Sequence, residues 1–221
     1  MKTIRTILLG LALTCGLSTV AFGATFVQTT PYFSAGDSPF NTAAPGYQIE
    51  DFEDLTLNTL GILSWSTSFG SGISTFSVDA DDGVIDGSGA GGKSLSVVTS
   101  AGVTGLFINF DSVTFGQFPQ DVGIVVTLAS AFPLVIEAFD PLGFSLGTTT
   151  ANLALSSPTG DDVFFGVTDV GGISKFHVYS NSAATFLHVD HLQYGPIPEP
   201  ATMSLLALGG LALLRRKSKT P

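Results

Sequence analysis

The stretch DADDGVIDG places Asp79, Asp81, Asp82 and Asp86 around Gly83 and Gly87. Clustered carboxylates on a glycine-turned loop are the donor set of a hard divalent cation such as Ca2+. The loop is not an EF-hand, because its fifth position is Gly83 and no glutamate closes it. Asp and Gly are also ordinary turn residues, so a solvated turn is the competing reading. A second donor set lies in IEDFED and HVDH, with Glu50, Asp51, Glu53 and Asp54 near one strand and Asp190 on the last. Where first and last strands lie side by side, as in jelly rolls, Glu50 or Glu53 can share a Ca2+ with Asp190. Charged edge residues that block sheet-to-sheet association are the alternative.

His177, His188 and His191 raise a transition-metal reading with Asp190. On a regular strand His188 and Asp190 share a face and His191 points away. Three ligands would need help from elsewhere, and polar residues at a sheet rim are the simpler reading. Nucleophilic catalysis finds no support, since no serine sits in Gly-x-Ser-x-Gly. Glycoside hydrolysis needs two placed carboxylates, and any acidic chain offers pairs by chance. The residues therefore argue against an enzyme. Sugar binding needs exposed Trp or Tyr platforms. The chain has one Trp, Trp65 in LSWSTSFG, and four Tyr. Trp65 is the candidate platform, with a core position as its alternative.

These groups sit in a chain of 221 residues whose charge is uneven. All 18 acidic residues except Glu199 lie between residues 24 and 197, where the only basic residues are Lys93 and Lys175. Phosphate backbones need Lys and Arg partners, so nucleic acid is excluded as a partner. A lyase acting on acidic sugars would want the same cations. Cys15 is the lone cysteine, so the body cannot hold Cys-ligated zinc, an iron–sulfur cluster or a thiol nucleophile. Its stability must come from burial rather than disulfides.

The elements that must position these groups read as strands. YQIEDFE, ILSWSTSF, ISTFSVD, KSLSVVTS, TGLFINF, VGIVVTL, PLVIEAFD, GFSLGT, DVFFGVT, ISKFHVYS and TFLHVDHLQYG are short, rich in β-branched and aromatic residues, and punctuated by Gly, Asp, Pro, Ser or Asn. No sustained helical period appears between the chain ends. The pattern predicts an all-β fold, a β-sandwich of jelly-roll type over 47–195. Residues 24–46 read as an extended leading segment.

Both ends are apolar. Lys2 and Arg5 precede the run Ile7 to Val20, and Ala21 and Gly23 are the small residues of a cut after Gly23. That is the layout of a cleaved signal peptide, 1–23, and the run is short for a permanent span. Thr14 before Cys15 argues against lipidation. At the other end, Pro198-Glu199-Pro200 is followed by an apolar run, Ala201 to Leu214, and then by Arg215, Arg216 and Lys217. A helix of that run spans about 21 Å against ~30 Å of hydrocarbon. The basic cluster would stay cytoplasmic.

The tail, 196–221, resembles the PEP-CTERM sorting signal of bacterial exported proteins. The resemblance implies an exosortase as processing partner and a transient inner-membrane anchor, then release to the cell surface or to an extracellular polysaccharide matrix. The body is similar to sandwich domains found in such proteins, through VDADDGVIDGSG, IEAFDPLGFSLG, DDVFFGV, GGISKFHV and VDHLQYG. Those domains look like jelly-roll modules of extracellular carbohydrate-active proteins, some with a structural Ca2+. The expected role is structural or adhesive, with a carbohydrate-binding module as the alternative.

Overall fold

A computed structural model describes residues 23–29, 31–67, 71–85, 90–99, 105–127, 133–152, 162–181 and 185–195. Ala21, one of the two small residues of the expected signal cut, and the tail residues Pro198, Glu199, Pro200, Arg215, Arg216 and Lys217 lie outside them, as does Asp86. Among the described residues, no helix is long and apolar enough to cross a membrane.

Among the described residues, twelve strands form two antiparallel sheets: β1 (Thr25–Thr29), β2 (Gln48–Glu50), β3 (Ile62–Thr67), β4 (Ser71–Phe76), β5 (Ala90–Thr99), β6 (Gly105–Phe110), β7 (Asp121–Thr127), β8 (Pro133–Phe139), β9 (Ser145–Asn152), β10 (Val163–Thr168), β11 (Lys175–Ser180) and β12 (Thr185–Gly195). The larger sheet runs β1-β10-β7-β12-β5-β4, with β2 also paired to β12; the smaller runs β3-β6-β11-β8-β9. Successive strands from β5 to β8, and again from β9 to β12, cross from one sheet to the other. That alternation makes a jelly-roll-like β-sandwich, as the strand pattern predicts. Each of the predicted runs holds one strand.

Period-2 alternation explains the main core. Leu95, Val97, Ile124, Val126, Leu187 and Val189 point inward from the larger sheet and meet Leu106, Ile108, Ile136, Phe176 and Val178 of the smaller. The central strands β7 and β10 are also buried on their outer side, which is why they read as unbroken apolar runs. The cover is a layer of irregular chain. Tyr32 and Val78 pack with Val125 and Phe164 into a second cluster, and Phe40 and Val27 pack against it. Gly123 and Gly166 face each other across β7 and β10, and the Phe164 ring occupies the space their side chains would need. Fully burying Val78 and Phe164 contributes about 1.5–3 kcal/mol each.

Two sequence expectations are corrected here. The leading segment 24–46 is not merely extended: Thr25–Thr29 pairs with β10 from Thr25 opposite Thr168 to Thr29 opposite Phe164. The sandwich therefore starts before residue 47. The aspartate-rich stretch is not an open loop either, because Asp79–Asp82 forms one helical turn, α1, closed by Gly83 in the left-handed region.

Candidate functional site

The outer layer carries the site. Residue α1 Asp79 starts the turn, and its N–H donates to the carboxylate of Asp162 at 3.1 Å. Asp162 Oδ1 accepts from Thr127 Oγ1 at 2.6 Å. A carboxylate remote in sequence thus caps a turn whose own N-cap, Val78, cannot. This fixes α1 against β5, where a side chain at Gly92 would stand 2.6 Å from Ser77 Oγ and 2.8 Å from Asp81 Cβ.

The opposing partner is β12. Up to Asp190 its residues alternate, with Leu187 and Val189 in the main core. The register shifts between Asp190 and Gln193, and His191 adopts a φ of +39°. This β-bulge puts one extra residue into the strand, and Leu192 resumes the inward face. Sequence alternation sends His191 away from Asp190. The bulge turns it to the same side, and this is the main correction to the sequence reading.

Asp81, Asp190 and His191 consequently meet. Among the described residues, each offers a metal-ligating atom within 4.8 Å of the others. His191 Nε2 is 3.3 Å from Asp81 Oδ2. Ser77 Oγ lies 2.9 Å from Asp81 Oδ2 and 2.7 Å from Asp190 Oδ2. Asp190 also accepts from Val78 N and from His191 N. On the far side of the imidazole, Tyr32 Oη is 2.9 Å from Nδ1, Gln193 Nε2 donates to Tyr32 Oη at 2.6 Å, and Ser38 Oγ donates to Gln193 Oε1. Tyr32, Ser77, Asp190 and Gln193 are all fully buried.

The electrostatics follow from that burial. Burial pushes the Asp190 carboxyl up to about 7, against the pull of His191 and Ser77. Asp81 feels the same penalty, but its hydrogen bond and ion pair with His191 and its bond to Ser77 leave it below its ordinary value. Burial pushes His191 down; Asp81, Asp190 and Asp51 outweigh it and leave it raised. Ser77 has one hydroxyl hydrogen for two carboxylates. A neutral Asp190 can donate to Ser77, which then donates to the ionised Asp81.

The other sequence candidates are placed elsewhere. Glu50 lies opposite Leu192, on the inward face, whereas Asp190 faces the outer layer. Its two carboxylate oxygens accept from Phe52 N, Asn58 N, Thr59 N and Thr59 Oγ1, at 2.7–3.2 Å. The sheet therefore separates Glu50 from Asp190, and Glu50 closes the loop after β2. Glu53 accepts from Lys93 N. Asp82 accepts from Val84 N at 2.8 Å. His177 is stacked between Phe107 (centroids 3.8 Å apart) and Tyr179 (4.4 Å) on the outer face of the smaller sheet. Burial and Lys175 push it down to about 4. These rings stack on one another across β6 and β11 and form a cross-strand ladder. His188 packs against Phe76, and its Nδ1 is buried without a hydrogen-bond partner.

Trp65 lies opposite Ile108 and so faces between the sheets. It packs against the main core yet is only half-buried. β3 and β4 are edge strands of the two sheets. Between them opens a cleft of about 370 Å³ lined by Trp65, Phe52, Leu55, Thr56, Leu57 and Ile73.

Beyond Gly195 the chain enters the tail. Residues 196–218 match the PEP-CTERM protein-sorting motif. Such a motif implies an exported protein that an exosortase sorts to the surface. The match covers the tail and leaves the body unassigned. No curated protein matches the chain. Among solved structures, the chain is similar to the CBM22-1–GH10 modules of a Clostridium thermocellum xylanase, with 10% identity, 68% of this chain and 29% of that chain covered, and a TM-score of 0.40. It is similar to the CBM22-1 xylan-binding domain of Paenibacillus barcinonensis Xyn10C, with 17% identity, 68% and 96% coverage and a TM-score of 0.38. A family 6 carbohydrate-binding module gives 15% identity, 68% and 95% coverage and a TM-score of 0.38. These scores are low, and the assignment of a sandwich rests on the two sheets themselves.

Proposed function

We propose that the chain is an exported, exosortase-sorted β-sandwich protein. It acts at the cell surface or in the extracellular polysaccharide matrix, in a structural or adhesive role and without catalysis. The observation that carries the reading is the order of parts along the chain. Among the described residues the first strand starts at Thr25, two residues past the expected cut, the last ends at Gly195, and the sorting motif begins at 196. The body thus closes on itself between two segments that address it. The site groups fit this reading. Asp190 and His191 are sealed under the outer layer rather than turned to a substrate.

Contact with polysaccharide falls to the Trp65 cleft. A half-buried indole lining an apolar cleft offers a surface for the C–H face of a sugar ring. A carbohydrate-binding module with a structural cation is the second reading, and the same cleft favours it. The test is affinity electrophoresis of the purified chain in extracellular polysaccharide, together with a reducing-end assay. Retardation that falls about tenfold in Trp65→Ala, with no release of reducing ends, supports the proposal. Unchanged retardation in Trp65→Ala removes the cleft from it, and steady release of reducing ends replaces it with an enzyme.

A further inference from the structure

We propose that Asp81, Asp190 and His191, with the hydroxyl of Ser94, form a buried site for a divalent transition ion such as Zn2+. The ion would clasp the α1 turn to the last strand. This goes beyond the functional reading above and does not depend on it. Three features carry it.

The donor set is mixed, two carboxylates and one imidazole, which suits Zn2+ and its neighbours rather than Ca2+, whose ligands are oxygens. The spacing fits. A tetrahedral ion with bonds of about 2.0–2.1 Å holds its ligand atoms roughly 3.3–3.4 Å apart. His191 Nε2 and Asp81 Oδ2 are 3.3 Å apart. The other ring nitrogen, Nδ1, is tied to Tyr32 Oη, and such a second bond orients a ligating imidazole.

The third feature is Ser94. It is fully buried, and its hydroxyl has no hydrogen-bond partner. A buried hydroxyl left unmatched costs about 1–3 kcal/mol, so the position asks for a ligand. Ser94 shares its sheet face with Gly92, where a side chain would run into Ser77 and Asp81. The pairing of β5 with β12 runs to Val189 opposite Leu95, so Ser94 and Asp190 are the next residues of the two strands. The unmatched hydroxyl therefore sits on the face of β5 that carries the cluster.

The experiment uses the full chain, purified in detergent, stripped with EDTA and titrated with Zn2+ or Co2+ alone. One equivalent should bind, Co2+ should give the visible bands of a tetrahedral nitrogen–oxygen site, and melting should rise with Zn2+ but not with equal Ca2+ or Mg2+. Asp81→Asn should weaken binding at least a hundredfold. Asp82→Asn, in the same turn, should leave it unchanged. The wild-type Co2+ spectrum serves even if a variant fails to fold. No stoichiometric binding, a spectrum like that of aqueous Co2+, preference for Ca2+, or equal binding by Asp81→Asn would each overturn the site.

Discussion

His191 Nε2 stands 3.3 Å from Asp81 Oδ2, and that contact ties the last strand to the α1 turn. It exists because one extra residue enters β12 at the bulge. Without the bulge His191 would point into the opposite layer, and Asp190 would keep only Ser77 and Val78 as partners in the outer layer. The contact joins two parts of the chain far apart in sequence, so the outer layer and the larger sheet should unfold together.

The buried carboxyl makes stability depend on pH. In EDTA, Asp190 is protonated in both states well below its ordinary 3.8. Between there and about 7 the unfolded chain releases the proton while the native protein keeps it. Native stability therefore falls as pH rises through that window. The raised His191 acts in the same direction above 6.5, whereas the lowered His177 and His188 cost stability as pH falls below 6.5. Asp190→Asn isolates the first effect. Urea unfolding from pH 4 to 7.5 should show the wild type losing up to about 4 kcal/mol relative to the variant. A constant difference across that range would show that Asp190 does not hold the proton.

Glu50 is expected to be a loop cap. Removing an acceptor that serves four donors in a buried setting leaves them unmatched. Glu50→Ala should cost about 2–4 kcal/mol by the same reasoning. The loss should be equal in Ca2+ and in EDTA. A loss seen only with Ca2+ present would restore Glu50 as a cation ligand.

The docking of α1 on β5 can be tested without touching a charge. Gly92→Ala places a methyl group against Ser77 and Asp81, both of which must shift. Crowding of this kind costs about 1–3 kcal/mol. Gly83→Ala, at a left-handed φ of +79° but with open space around it, should cost about 1 kcal/mol through backbone strain alone. Thermal melts that rank the two in the reverse order would show that α1 does not rest on β5.

The strands were legible because their signal is local. Runs such as VGIVVTL and DVFFGVT carry β-branched and aromatic residues between turn residues, and the inward set follows from period 2. The site was legible only in part. Asp81 and Asp190 stand out as carboxylates, and Asp190 falls in one sequence group with His191, but Asp81 falls in another. Pairing them needs the bulge at His191, and a one-residue insertion reverses every side chain beyond it. Ser77, Tyr32, Gln193 and Asp162 carry no sequence signal at all, since their roles come from an outer layer that only the folded chain assembles. β1 carries little sequence signal, because TFVQT is short and lies among Thr, Pro and Gly residues that resemble a linker.

The central claim is that the chain is addressed at both ends and works at the surface as a trimmed sandwich. Mass spectrometry of the protein recovered from the extracellular polysaccharide fraction tests it directly. The account predicts a form that begins at Ala24, retains peptides through β12 to Gly195, and yields no peptide from Leu205 onward. A surface form that keeps Arg215 and Arg216, or a protein found only inside the cell with Lys2 and Arg5 in place, would contradict it.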